Sequence, residues 1–439
     1  MRLTQWDLGL VAALAALSFA YAGLFSFSMP YFDHWDVAPL IEAAAAGALA
    51  PERLFEIHGG HWHAGAYAVL VPLALASGWS HQAEALASAC VMAGCCVLAL
   101  KLASAAAPAG ARFTPYAVAA ALLAFSLDQA GNLLLGFQLS LFISQFGVFL
   151  ALAALLGDGF GPLRFGIALT GLALAVSAYA TGFALVPIGL TLLMLRSDVG
   201  RMARVAYALG WAIVSAALCV AFVASLKGAP HGGGFDASDL RHPDFAFYLA
   251  QFLLNLIGAG VTRFSTSLIL PVAVIGVALP LAMTAALVRK ATPLRQLAIP
   301  LALCAYGVGA GLLCGLGRYD FGPEQGVNTR YFTFANAYWL GVVMLSLMGM
   351  QALVSQPLRR GLIALLVLLS LLKVGNSVQQ AVKHAELSAE IAAVAEAMRA
   401  NPSEAAAIAR VYAYPRQDVE RHVAFLRERR WSMYKDAAP

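Results

Sequence analysis

The chain has 439 residues, of which 61% are hydrophobic and only 12% charged. Soluble domains carry about 25% charged residues, so a soluble globular fold is excluded. The net charge of +5 does not point to a nucleic-acid partner, because the basic residues form short clusters between apolar runs and no continuous stripe. Residues 376–439 hold 17 of the 51 Asp, Glu, Lys and Arg residues. The chain therefore reads as an all-α polytopic membrane protein, residues 1–375, followed by a small polar region, 376–439.

Apolar runs occupy about 8–28, 64–79, 84–102, 116–131, 133–156, 164–180, 181–195, 205–226, 246–261, 268–288, 297–316, 332–354 and 361–375. The first is long enough to span a bilayer core of ~30 Å, which needs ~20 residues, and so is not read as a cleavable leader. Cys90, Cys95, Cys96, Cys219, Cys304 and Cys314 all lie inside apolar runs and read as small buried hydrophobes, without metal or disulfide spacing.

Lys and Arg concentrate on the cytoplasmic side of membrane proteins. Lys101, Arg112, Arg164, Arg196, Arg201, Arg204, Arg289, Lys290, Arg295, Arg359 and Arg360 fall in five short loops. For all five to share one side, the runs 64–79 and 246–261 must be embedded rather than crossing. The expectation is eleven crossings with the N-terminus inside and the C-terminus outside; thirteen is the alternative. The outer loops are then 29–63, 128–132, 227–266 and 317–331. The loop 29–63 carries five acids against Arg53 alone, which suits the outer side. In the tail, helical periodicity runs from Val378 to Arg399 and ends at Asn401-Pro402, and a second amphipathic stretch covers Asp418 to Arg430 after Tyr414-Pro415.

The first outer loop holds the most chemistry. Asp33 and Asp36, interleaved with His34 and Trp35, follow the first span directly. A carboxylate at that depth is costly unless partnered, and an Asp can take a proton from an attacking alcohol. Val37 to Leu49 can form a helix along the membrane surface. His58, His61 and His63 follow, around two glycines and Trp62. They can line a cavity with His34, sit as ordinary interfacial residues, or hold a divalent metal, although their spacing is not that of HExxH. No cofactor is assigned. In the late outer loop Arg318 and Arg330 bracket Asp320 and Glu324. Their planar donors match phosphate oxygens, or they staple the loop by pairing with those acids. Asp128, Gln129, Asn132 and Gln138 either line a cavity or make a tight turn between spans. The polar stretch 227–245, with His231, Asp236 and His242, reads as a flexible acceptor-contact or gating loop.

Taken together, these pieces resemble bacterial integral-membrane glycosyltransferases of the GT-C superfamily. The resemblance rests on Asp33-His-Trp-Asp36, His58-Gly-Gly-His61-Trp-His63, Asn132-Leu-Leu-Leu-Gly-Phe-Gln138, Gly317-Arg318, Glu324-Gln325, Thr329-Arg330-Tyr331 and Tyr414-Pro415. It implies a GT-C-like fold in the inner membrane and sugar transfer from a polyprenyl-phosphate donor. The acceptor is an envelope glycan, lipid or protein, and the site faces the extracytoplasmic side among membrane lipids. Asp33 or Asp36 would be the base, Arg318 and Arg330 would hold the donor phosphate, and Glu324 and Tyr331 would line the cavity. No second paired-acid motif is present, which leaves metal dependence open. Two rivals remain: an O-antigen polymerase or ligase type enzyme, which concentrates its Arg and His in a late loop, and a non-enzymatic lipid or glycan transporter.

Overall fold

The structure is a computed structural model that describes residues 3–226, 241–352, 355–401, 407–408, 410 and 416–435. Part of the loop 227–245, including His231 and Asp236, lies outside the described residues, as do Pro402 and Tyr414-Pro415. The described chain is helical, with no strand beyond one bridge between His58 and His61.

Among the described residues the α-helices are, in order, α1 (Gln5–Phe25), α2 (Ala38–Ala45), α3 (Ala64–Ser77), α4 (His81–Ala106), α5 (Thr114–Ala124), α6 (Ala130–Leu134), α7 (Leu139–Leu155), α8 (Pro162–Ala178), α9 (Leu185–Leu195), α10 (Arg201–Leu226), α11 (Phe245–Thr262), α12 (Thr266–Arg289), α13 (Leu294–Leu316), α14 (Phe332–Ala352), α15 (Gln356–Ala400) and α16 (Arg416–Arg429). Among the described residues ten segments are long and apolar enough to span a membrane: α1, α4, α5 with α6, α7, α10, α11, α12, α13, α14 and α15. The molecule is a multi-pass membrane protein. Three shorter apolar helices accompany these, namely α3, α8 and α9 with the turn before it.

The bundle has two chemically different ends. At one, Arg196 donates to the carbonyls of Leu155 and Gly157, and Arg295 reaches the carbonyl of Leu156 and the Asp158 carboxylate. Arg204 donates to the Met194 carbonyl there as well, so three of the basic loops gather together. At the other end the first loop, the turn 126–138, the loop 317–331 and the tail meet. Gln82 donates to the Gly23 carbonyl, Ser126 meets Ser377 and Tyr248 donates to the Gly315 carbonyl.

Two apolar helices begin and finish at this second end. α3 starts at His63 beside Phe137 and stops at Gly78, next to Trp79 and Glu84; Glu84 itself abuts Gly136, Phe137's neighbour. Its 14 residues reach about 21 Å at 1.5 Å per residue, short of the ~30 Å core. α11 meets Tyr319 through Phe245 and Val327 through Arg263, so it lies along the loop 317–331.

Two sequence expectations change in detail. α15 runs unbroken from 356 to 400, so the compositional boundary at 375 falls inside one helix. The surface helix expected from Val37 to Leu49 is shorter, being a 3-10 turn Phe32–Val37 followed by α2. Its apolar face is covered by the tail and not left to the membrane. Leu40 and Ile41 share a buried cluster with Val419, Val423 and Leu426, and Glu42 pairs with His422 at 2.6 Å.

Candidate functional site

Local backbone geometry sets the site. In a 3-10 turn residues three apart eclipse one another. Asp33 and Asp36 therefore share one side of the turn Phe32–Val37, while Trp35, only 1% exposed, is buried on another. Phe32, just before the first acid, holds φ at 48°, a left-handed conformation that costs of order 1 kcal/mol in a non-glycine residue.

The next piece is a two-residue hairpin. His58 and His61 exchange both backbone hydrogen bonds at 3.0 Å, and Gly59 and Gly60 take φ of 56° and 83° between them. Two consecutive positive φ values are the signature of a type I′ turn, which Gly-Gly adopts without steric cost. The turn sends its two histidines in different directions. His58 Nδ1 lies 3.7 Å from Asp36 Oδ2, and donor atoms of Asp33, Asp36 and His58 all fall within 4.8 Å of one another. His61 stacks on Tyr179 with ring centroids 3.8 Å apart. Tyr179 stands at the break between α8 and α9, where the sequence shows only the junction of the apolar runs 164–180 and 181–195.

Arg318 reaches the turn from the late loop. Its Nη2 lies 3.9 Å from where a Cβ on Gly59 would stand, and its Nε donates to the Tyr331 hydroxyl at 3.2 Å. Arg330 is anchored through its backbone, whose carbonyl accepts from Asn132 Nδ2 at 3.1 Å. The same amide reaches Thr333, and Thr333 donates to Gln129. The polar residues of 128–138 are thus helix-to-helix connectors, with Asn132 positioning the loop that carries Arg330. Gln138 is buried beside them. Among the described residues neither Arg318 nor Arg330 forms an ion pair with Asp320 or Glu324; Glu324 is exposed and folds back over Gly322. The loop-staple reading is not what the geometry contains.

Burial and the neighbouring cations hold His61 and His63 neutral. Desolvation, then His63 and Arg318, push His61 well below the usual imidazole range. Burial together with the charge of His58 pushes His63 down to about 3. The Nδ1 atoms of both rings are buried without a hydrogen-bond partner among the described residues.

His34 turns away from this group. It is 1% exposed and lies against Trp79, His81 and Glu84. Among the described residues the trio His58, His61 and His63 also does not bring its donor atoms together within 4.8 Å. The set with metal-ligand spacing in this region is Asp33, Asp36 and His58, two oxygens and a nitrogen that suit a divalent cation such as Mn2+ or Zn2+.

Comparison of the chain with protein-family models, curated proteins and solved structures found no match. The chemistry of the site therefore rests on its own geometry. That geometry offers a carboxylate pair able to accept a proton and two arginines that, among the described residues, form no ion pair with the acids of their own loop. Neutral imidazoles and aromatic rings line the space between them.

Proposed function

We propose that this protein is a membrane glycosyltransferase that moves a sugar from a polyprenyl-phosphate donor to an envelope glycan, lipid or protein. One observation carries the reading. Asp33 and Asp36 gather at His58, Arg318 reaches Gly59 of the same turn, Arg330 is close enough for its charge to act on His61, and among the described residues neither arginine pairs with an acid of its own loop.

The sidedness we infer is an inner membrane with the site on the extracytoplasmic face. The basic loops joined by Arg196, Arg204 and Arg295 lie at the end opposite the site, as the positive-inside rule requires. α11 leaves the ten candidate spans, because both its ends meet the loop 317–331. α8 and α9 enter as a short crossing pair, since Ala178 abuts Gly65 near the site while Arg196 ends α9 among the basic loops. The chain then makes eleven crossings, and the fold is GT-C-like in placing its first acidic loop straight after the first span.

In the reaction Asp33 takes the proton of the acceptor hydroxyl as that oxygen attacks the anomeric carbon. Asp36, whose Oδ2 stands 3.7 Å from His58 Nδ1, supports the pair electrostatically. The new glycosidic bond forms as the bond from that carbon to the phosphate oxygen breaks, so direct displacement inverts the centre. Phosphate leaves as an anion without needing a strong acid; Arg318 and Arg330 stabilise the developing charge. A divalent cation on Asp33, Asp36 and His58 would add positive charge beside the phosphate. The donor's tail has a route as well. An apolar groove of about 800 Å³, lined by Leu253, Ile257, Val277, Leu281, Val308 and Tyr338, runs along α11, whose Phe252 meets Tyr331.

The test is sugar transfer from a polyprenyl-phosphate sugar in nanodiscs. Asp33→Asn should lower turnover by roughly 100-fold or more, and Arg330→Ala should weaken donor binding. Turnover retained in both Asp33→Asn and Asp36→Asn would sink the assignment of the base.

A further inference from the structure

We infer that His34, His81 and Glu84 form a second site, a buried structural site for a transition-metal cation of the zinc type that pins the first outer loop to α4. It is independent of the glycosyltransferase reading and shares no ligand with Asp33, Asp36 and His58.

The three side chains are 1%, 4% and 0% exposed, and one donor atom of each lies within 4.8 Å of the other two. His81 and Glu84, three residues apart on the first turn of α4, present their donors on one helix face. His34 comes from the 3-10 turn of the first loop. His81 Nδ1 stands 2.9 Å and His34 Nε2 3.3 Å from the same oxygen, Glu84 Oε2. Ligand atoms about 2.0–2.1 Å from a tetrahedral zinc stand roughly 3.3 Å apart, close to these separations.

Charge and hydrogen bonding point the same way. Glu84 is fully buried, and among the described residues it meets no Lys or Arg; its side-chain polar contacts are the two histidines and Trp79. A buried carboxylate needs a compensating cation. His34 Nε2 is buried 3.3 Å from Glu84 Oε2 and, among the described residues, makes no well-aligned hydrogen bond. One divalent cation neutralises Glu84 and satisfies His34 in a single step. The outer partners of a metal site are also in place, because ligating groups are held by hydrogen bonds on their far side. Trp79 Nε1 donates to Glu84 Oε1 at 3.0 Å, and His81 Nε2 meets Ser432 Oγ of the tail at 2.8 Å. The position that completes a tetrahedron is left to water or to the second Glu84 oxygen.

The experiment uses the full-length protein in detergent, stripped with chelator and titrated with Zn2+ and, separately, Co2+. The expected result is one equivalent of tight Zn2+ binding and the intense visible absorption of tetrahedral Co2+. In His81→Ala and Glu84→Gln binding should fall by about 100-fold or more, and Ser432→Ala should weaken it by roughly 10–100-fold. In His58→Ala, which tests the other cluster, this binding should persist. Because His58→Ala lacks the other cluster, its titration decides even where a variant of His81 or Glu84 fails to fold. Absence of tight Zn2+ binding, an octahedral Co2+ spectrum, or equal binding in wild type and His81→Ala would overturn the site.

Discussion

The histidines of the first loop behave differently because each faces a different environment, although they are near neighbours in sequence. His63 is 2% exposed and packs on Phe137. Burial and His58 lower its pKa from the ordinary 6.5 to about 3. The unfolded chain therefore takes up a proton as pH falls through about 6.5, while the folded chain resists until about 3. Stability is fully present above 6.5 and is lost as pH falls below it, by about 1.4 kcal/mol per pH unit. At pH 5 the loss from His63 is about 2 kcal/mol, and His61, shifted in the same direction, adds to it. Thermal unfolding in detergent at pH 7.5 and pH 5 measures this. His63→Gln should lose less melting temperature on acidification than the wild type; an equal loss would assign the pH dependence to other groups. The residue types in this loop were legible in the sequence, but their directions were not. Asp33, His34 and Asp36 read as one cluster there, and only the 3-10 turn, with its repeat of three, separates the acid pair from His34.

Among the elements, the tail and the first loop act as one unit. Ser432 donates its backbone N–H to the Gly78 carbonyl at 2.8 Å, and Trp431 lies against Gly78. Gly78 has φ of 66°, and a Cβ there would stand 3.2 Å from the Trp431 ring, so the αL conformation and the indole contact both call for glycine. With the Glu42–His422 pair and the shared cluster of Leu40, Ile41, Val423 and Leu426, the tail covers the back of the loop that presents Asp33. Trp431→Ala should loosen this cover. Arg53 is the one basic residue in 29–63, so trypsin reports on the loop through a single cut. Faster cleavage after Arg53 in Trp431→Ala is the expected outcome; an unchanged rate would mean that the tail does not restrain the loop. Periodicity foretold the helices of the tail, but not their docking. His81 and Ser432 lie 351 residues apart, and no local pattern links them.

At the level of the whole molecule, scarce charge made the membrane class and the basic loops readable, because each Lys or Arg in an apolar chain has few reasons to be there. What hydropathy could not separate is a helix that crosses from one that lies embedded. α11 has 18 residues and qualifies as a span by length and composition, whereas α9 has 11 and does not. The proposed arrangement reverses that order, because both ends of α11 meet the loop 317–331 and Arg196 carries the end of α9 to the carbonyls closing α7. The proposed eleven-crossing arrangement makes a specific demand on two short turns. Thr292, between α12 and α13, must lie with the basic loops, and Asp320, just after α13, must lie with Asp33 and Asp36. Single reporter cysteines at these positions, in a chain whose exposed Cys90 and Cys219 are replaced by alanine, should react with a membrane-impermeant maleimide from opposite sides of intact cells. Asp320→Cys should label from outside, and Thr292→Cys only after permeabilisation. Labelling of both from one side would break the α13 crossing. The reverse pattern would put the acid pair and the arginines on the cytoplasmic face and remove the extracytoplasmic reaction.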